Sequence, residues 1–255
     1  MRFDKKRVVI TGGTGGIGQA VVELFAREGA QVLFSDYRAE DCSDYCDALR
    51  ARGLETSYLA GDLRQKSYCE ALIADAEAKF GGIDILVNNA GIIPRGTILE
   101  TTDEMWFSAL DVNLTAVFFL CRAAIPQMQR AGGGAIVNTS STWGLYPGPG
   151  HVAYCTSKAA LAALTKNLAR DHAADGIRIN AVCPNEVNTP MLRSGFLRRG
   201  IDPDNAVAEL GKTVPLGHIA EPDEIADVIA FLASQDARYV CGATVEVTGA
   251  KAVYG

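Results

Sequence analysis

Along this chain the spacing of apolar residues switches repeatedly between two patterns. Short β-branched runs end in glycine or polar residues, and most open into a segment with apolar positions three and four apart. The runs predict strands at 7–11, 31–35, 56–60, 83–87, 135–139, 177–182 and 244–247. The helical periodicity predicts helices at 17–27, 39–52, 65–80, 104–130, 153–172 and 222–233. Gly29, Gly53 and Gly81 stand where helices should stop, and Pro222 where the last should begin. The 104–130 stretch is expected to bend or end near Pro126. Residues 185–204 read as irregular, with a short helix ending near Gly211. The region 185–212 is therefore expected to be a lid over a substrate site.

Strands such as Ile83-Asp84-Ile85-Leu86-Val87 and Ala135-Ile136-Val137 are apolar on both faces. Such strands are covered on both sides, as in a parallel sheet between helices. The alternation predicts an α/β fold: one domain over residues 1–255, with a doubly wound, seven-stranded parallel sheet and helices on both faces.

Composition narrows the picture. Of 255 residues, 48 % are hydrophobic and 21 % charged, which is globular rather than disordered. The formal net charge of −6 argues against nucleic acid or an anionic membrane as partner. No uncharged apolar run approaches the ~20 residues that span a bilayer. The N-terminus lacks the features of a secretory signal, so a cytoplasmic protein is expected. Seven cysteines form no C-x-x-C pair and the three histidines lie far apart, so no metal site is expected and the thiols should be reduced.

Candidate chemistry begins at Thr11-Gly12-Gly13-Thr14-Gly15-Gly16-Ile17-Gly18, where the first strand becomes the first helix. Glycines let the backbone approach a pyrophosphate, and the helix N-terminus supplies N–H donors. Asp36, at the end of the second strand, can bind both ribose hydroxyls of adenosine and repels a 2′-phosphate. That points to NAD, although Arg38 nearby could serve NADP. Tyr154 and Lys158 fall one helical turn apart, on one face. An adjacent ammonium is expected to lower the phenol pKa and make Tyr154 a proton carrier.

Together these motifs resemble the short-chain dehydrogenase/reductase family across nearly the whole chain. The resemblance includes the T-G-x-x-x-G-I-G loop, Asp62-Leu63, Asn88-Asn89-Ala90-Gly91, Asn113, Ser141, Tyr154, Lys158 and the segment Pro184 to Met191. It implies a Rossmann-like fold and a catalytic set of Asn113, Ser141, Tyr154 and Lys158. Tyr154 would be the general acid/base. Lys158 would hold the nicotinamide ribose, Ser141 would bond the substrate oxygen, and Asn113 would anchor a water that links Lys158 to solvent. Gly12, Thr14, Gly15, Gly16, Ile17 and Gly18 would cradle the pyrophosphate. Asp62 and Leu63 would contact adenine. Asn89, Ala90 and Gly91 would line the cofactor trough, with Pro184, Val187 and Thr189 at the nicotinamide end. A homotetramer is also implied. Two departures stand out: Pro184-Asn185 where the family usually has Pro-Gly, and Val247-Thr248-Gly249-Ala250 where it often has Asp-Gly-Gly. Asparagine tolerates φ > 0, so the first turn is expected to survive.

The substrate is expected to be a small molecule met by polar groups: Arg95, His151, Asn185, Glu186 and, on the lid, Arg193. Such groups suit a sugar, polyol or hydroxy acid, because each hydroxyl leaving water needs a partner. Arg95, Arg193, Arg198 and Arg199 suit an anion, or else form ion pairs with Asp202 and Asp204. The expected activity is NAD-dependent alcohol dehydrogenation. A 3-oxoacyl thioester reductase is the alternative enzyme, and a catalytically silent dinucleotide-binding protein the alternative of another class.

Overall fold

In the computed structural model, residues 1–251 are described; residues 252–255, the end of the expected 1–255 domain, lie outside them. Seven parallel strands run β1 (Arg7–Thr11), β2 (Gln31–Asp36), β3 (Thr56–Ala60), β4 (Ile85–Asn88), β5 (Gly134–Thr139), β6 (Ile177–Pro184) and β7 (Thr244–Val247). Their order across the sheet is β3-β2-β1-β4-β5-β6-β7. The order reverses between β1 and β4, in register Val8↔Ile85 through Thr11↔Asn88. A doubly wound sheet opens a crevice at the carboxyl ends of the strands there, and the glycine loop and Asn89 sit in it.

The period-two geometry of the strands explains their double apolarity. Val8, Ile10, Val32 and Phe34 pack into one buried cluster with α1 (Gly16–Arg27), α2 (Ala39–Ala51) and α9 (Pro222–Ala233). Val9, Leu33, Leu86 and Ile136 point the other way, against α3 (Lys66–Phe80) and α5 (Ala116–Arg130). The helix α6 (Val152–His172) covers the same face beside β6. β4 starts two residues later than its apolar run. Asp84 takes both the backbone N–H and the Nε of Arg7, at 2.9 and 2.8 Å, and so acts as a polar anchor before the strand.

Three departures from the sequence pattern matter. The 104–130 stretch does not stop at Pro126; the helix runs through it. It is interrupted earlier, where α4 (Asp103–Leu110) passes through a π-helical turn, Asp111–Thr115, before α5. This stretch is long and apolar enough to cross a bilayer by length and composition alone, but its Ala116, Leu120, Cys121 and Met128 belong to the core. Residues 185–204 are irregular only at 185–189 and 198–202. Thr189 accepts the N–H of Leu192 and Pro190 opens α7 (Pro190–Leu197); Asp202 caps α8 (Pro203–Lys212). Asn185 does not take positive φ: among the described residues only Lys5 and Ala250 do so without being glycine. The turn after Pro184 therefore needs no left-handed residue.

Candidate active site

The cofactor half is built from the β1–α1 turn. Gly12 has φ 70°, and a Cβ on it would lie 2.8 Å from Ala90 Cα. A Cβ on Gly18 would meet the Gly12 carbonyl at 1.8 Å, and one on Gly16 would meet Thr189 at 2.7 Å. Gly15 is different: its Cβ direction is almost open and faces the cleft. Asn89 ties the opposite wall on, donating through Nδ2 to the carbonyls of Thr11 and Gly12 at 3.2 Å each. The first turn of α1 carries no acid and its N-cap no side-chain cap, so its N–H donors remain for an anion. These glycines therefore fit a dinucleotide pyrophosphate. Thr14 does not line the cleft: its N–H is spent on Asp36 Oδ2 at 3.0 Å. The expectation of a direct Thr14 contact is thus corrected to support of Asp36.

Asp36 ends β2 at the far end of the same cavity, with Asp62 and Leu63 beside it. Its oxygens accept the N–H groups of Thr14 and Tyr37, at 3.0 and 2.7 Å. A carboxylate has about four acceptor sites, so capacity remains for ribose hydroxyls. Arg38 points outward onto Asp41. Arg64, unremarked in the sequence, grips Asp62 at 2.7 Å.

The catalytic wall comes from the ends of β4 and β5 and the start of α6. Lys158 is buried and donates through Nζ to the Thr139 carbonyl at 2.7 Å. Burial pushes its ammonium down to about 8. Tyr154 stands on the same wall, with Lys158 Nζ 5.8 Å from its ring centre. The expected lowering of the phenol pKa is not what the free protein shows. Burial dominates and pushes Tyr154 up to about 12, with the Ser141 hydroxyl acting in the opposite sense. Ser141 accepts the Trp143 N–H at 3.1 Å, reaches the Pro184 carbonyl at 3.5 Å and hydrogen-bonds the Tyr154 side chain.

Asn113 lies in the π turn and does not reach the cavity. Its Nδ2 donates to the Ile92 carbonyl and to Ser157 Oγ, at 3.0 and 2.9 Å, while Oδ1 accepts the Ile92 N–H at 2.9 Å. These bonds tie the Ile92 backbone to Ser157 on α6 beneath the site. A Cβ on Gly91 would fall 3.2 Å from both Asn113 Oδ1 and Lys158 Nζ, so glycine keeps a space between them.

The substrate end is lined by Arg95, His151, Asn185 and Glu186, as expected. Two of these are already engaged. Glu186 lines the cavity while paired with Lys251 at 2.6 Å. Asn185 Oδ1 accepts Thr142 Oγ1 at 3.2 Å. Arg193 is corrected: it faces Asn188 and Asp204, at 2.9 and 2.7 Å, outside the cavity. Arg198 and Arg199 line the cavity instead. Trp143 was missed; it lies 4.5 Å from the His151 ring and meets Tyr154 edge-on at 6.3 Å. Its only signal was its place after Ser141. The cavity joining all these groups is about 790 Å³.

Fold and cavity define a dinucleotide-binding α/β protein with a Ser-Tyr-Lys wall. The profile described as enoyl-(acyl carrier protein) reductase matches residues 12–249. The meso-2,3-butanediol dehydrogenase of Serratia marcescens is 38 % identical over 249 residues, covering 98 % of this chain and 95 % of that protein. A solved variant of actinorhodin polyketide ketoreductase with NADPH superposes with a TM-score of 0.93 at 31 % identity, 98 % of each chain being covered. The L-sorbose reductase of Gluconobacter frateurii, complexed with NADPH and L-sorbose, gives 0.91 at 30 % identity, again over 98 % of each chain. The chain belongs to the short-chain dehydrogenase/reductase family. It is an oxidoreductase of that family, whose members use a nicotinamide dinucleotide.

Proposed function

We propose that the protein is an NAD(H)-dependent dehydrogenase acting on a secondary alcohol or hemiacetal of a sugar, polyol or hydroxy acid. The observation that carries this reading is one cavity bearing the glycine turn and Asp36 at one end and Ser141, Tyr154 and Lys158 at the other. When bound, the nicotinamide accepts or returns the hydride. The Ser141 hydroxyl, whose bond to the Pro184 carbonyl is a long 3.5 Å, would turn to donate to the substrate oxygen and orient it toward Tyr154. The Tyr154 hydroxyl takes the alcohol proton in oxidation and returns it in reduction. Lys158, held on the Thr139 carbonyl, would bond the nicotinamide ribose and stabilise the phenolate. The gap that Gly91 keeps beside Lys158 Nζ and Asn113 Oδ1 suits the water that would pass the proton outward. Gly12, Gly15, Gly16, Ile17 and Gly18 would hold the pyrophosphate, with Asp62, Leu63, Asn89, Ala90, Gly91, Pro184, Val187 and Thr189 along the trough.

The cofactor choice rests on Asp36. Its carboxylate retains acceptors for both adenosine hydroxyls, while Arg38 is turned onto Asp41 and Arg64 onto Asp62. The two solved neighbours carry NADPH. The test is kcat/KM with NAD and with NADP in the same alcohol assay. NAD should be preferred, and Asp36→Ala should erode that preference; equal use of both by the parent protein would refute it. We also take 185–212 as a substrate lid, the assembly as a homotetramer and the setting as a reducing, cytoplasmic one, in keeping with seven unpaired cysteines.

A further inference from the structure

We infer that the substrate carries an anionic group (a carboxylate, phosphate or sulfonate) and that Arg95, Arg198 and Arg199 receive it at the lid end of the cavity. This rests on the dehydrogenase reading and names the substrate class of the same site. The three guanidinium groups line one cavity, and among the described residues no carboxylate pairs with any of them. The contrast with Arg193 is informative. It sits on α7, just before Arg198 and Arg199, but faces away, and there Asp204 neutralises it at 2.7 Å. The one acid side chain closest in sequence to Arg199, Asp202, is used to cap α8 through the Asn205 N–H at 2.9 Å.

Arg95 and Arg199 meet at Gly195. Arg199 Nε donates to the Gly195 carbonyl at 3.1 Å, and a Cβ on Gly195 would come within 2.6 Å of Arg95 Nη2. Glycine therefore makes room for Arg95, whose Nη2 otherwise reaches only the Met191 carbonyl at 3.3 Å. Placing like charges together around a half-buried group is unfavourable: burial first, then Arg198 and Arg199, holds the Arg95 guanidinium below its ordinary value. An anion relieves that repulsion and matches the planar forks of arginine. Beside them the His151 ring is held at 2.7 Å from the Pro149 carbonyl through Nδ1. That carbonyl can only accept, so Nδ1 carries the proton and Nε2 is left as an acceptor for a substrate hydroxyl. A hydroxylated anion satisfies both groups at once.

The test is calorimetric titration of the full protein, with and without saturating NADH. The probes are sulfate, glycerol, glycerate, glycerol 3-phosphate, glucitol, gluconate and glucitol 6-phosphate. Binding of NADH itself reports the dinucleotide reading separately, and sulfate probes the arginines without it. At least one anion should bind tenfold or more tighter than its neutral parent. Arg95→Ala and Arg199→Ala should each cut that preference by about tenfold, the usual weight of one charged hydrogen bond. Arg193→Ala removes the same charge from neighbouring α7 and should leave the preference intact. Anions that bind no tighter than glycerol or glucitol would overturn the inference, as would an Arg193→Ala protein that loses as much as Arg95→Ala.

Discussion

At the residue scale, protonation decides what the site can do. In the free protein, burial holds Tyr154 protonated up to about 12 and drives Lys158 down to about 8. Oxidation needs the phenolate beside the Lys158 ammonium, so kcat/KM for the alcohol should rise from pH 6 and level off above about 8, where that ammonium is lost. Reduction needs the phenol and the Lys158 ammonium, so it should fall as Lys158 loses its proton above about 8. Initial rates in both directions across pH check this; an oxidation rate greatest at pH 6 would contradict it. Tyr154→Phe keeps the ring but removes the proton carrier. It should lower turnover by about 10²–10⁴ while NADH binding persists, and stopped-flow binding alongside steady-state rates separates the two. A second residue carries strain without chemistry. Ala250 sits at φ 65°, where a β-carbon costs about 1–2 kcal/mol. Ala250→Gly should therefore stabilise the fold by about 0.5–1 kcal/mol after the extra chain entropy of glycine is deducted. An unchanged or lowered Tm would count against that strain.

At the scale of elements, the sequence pattern reached most of the fold, and its failures have physical causes. All seven strands were legible because each is a short run rich in β-branched, aromatic or other apolar residues, though β3 and β7 also carry polar positions. The π turn was not, because one added residue inside a helical stretch barely disturbs a period of 3.6. α7 was hidden by its length, but Thr189 and Pro190 are the cap and first-turn residues of a helix. That helix also explains the misplaced arginine. Once 190–197 coils, Arg193 turns to Asp204 while the chain beyond Leu197 brings Arg198 and Arg199 to the cavity. Tyr154 and Lys158 needed only helical spacing, and they came together on one wall. Asn113 shows what the π turn is for. Its amide joins the turn to both backbone groups of Ile92 and to Ser157 on α6. Asn113→Ala strands three polar groups, at about 1–3 kcal/mol for each that stays dry. Melting should fall by about 2–4 °C per kcal/mol lost, and turnover should fall with it even though Asn113 touches neither ligand. Full activity and an unchanged Tm would remove its positioning role.

At the scale of the whole molecule, charge and apolar surface are distributed unevenly. The cavity carries Asp36 at one end, where Asp62 is paired with Arg64, and Arg95, Arg198 and Arg199 without carboxylate partners at the other. Away from it, the core is complete on both faces of the sheet, yet Phe107 on α4 and Phe118 on α5 remain 59 % and 43 % exposed. Both flank the π turn on the continuous α4–α5 stretch. Arg122 lies 4.8 Å over the Phe118 ring, which leaves an aromatic surface edged by a cation. Aromatic residues edged by arginine are enriched where protein surfaces associate. A tetramer that buries this stretch would also brace the turn holding Asn113, and so couple assembly to the catalytic wall. Sedimentation equilibrium should then give four times the chain mass of 27.1 kDa. Phe118→Glu places an unpaired charge in that contact and should shift the population to smaller species with reduced turnover. A monomer in the parent protein, or a Phe118→Glu tetramer of full activity, would place the assembly contact elsewhere and free these aromatics of that role.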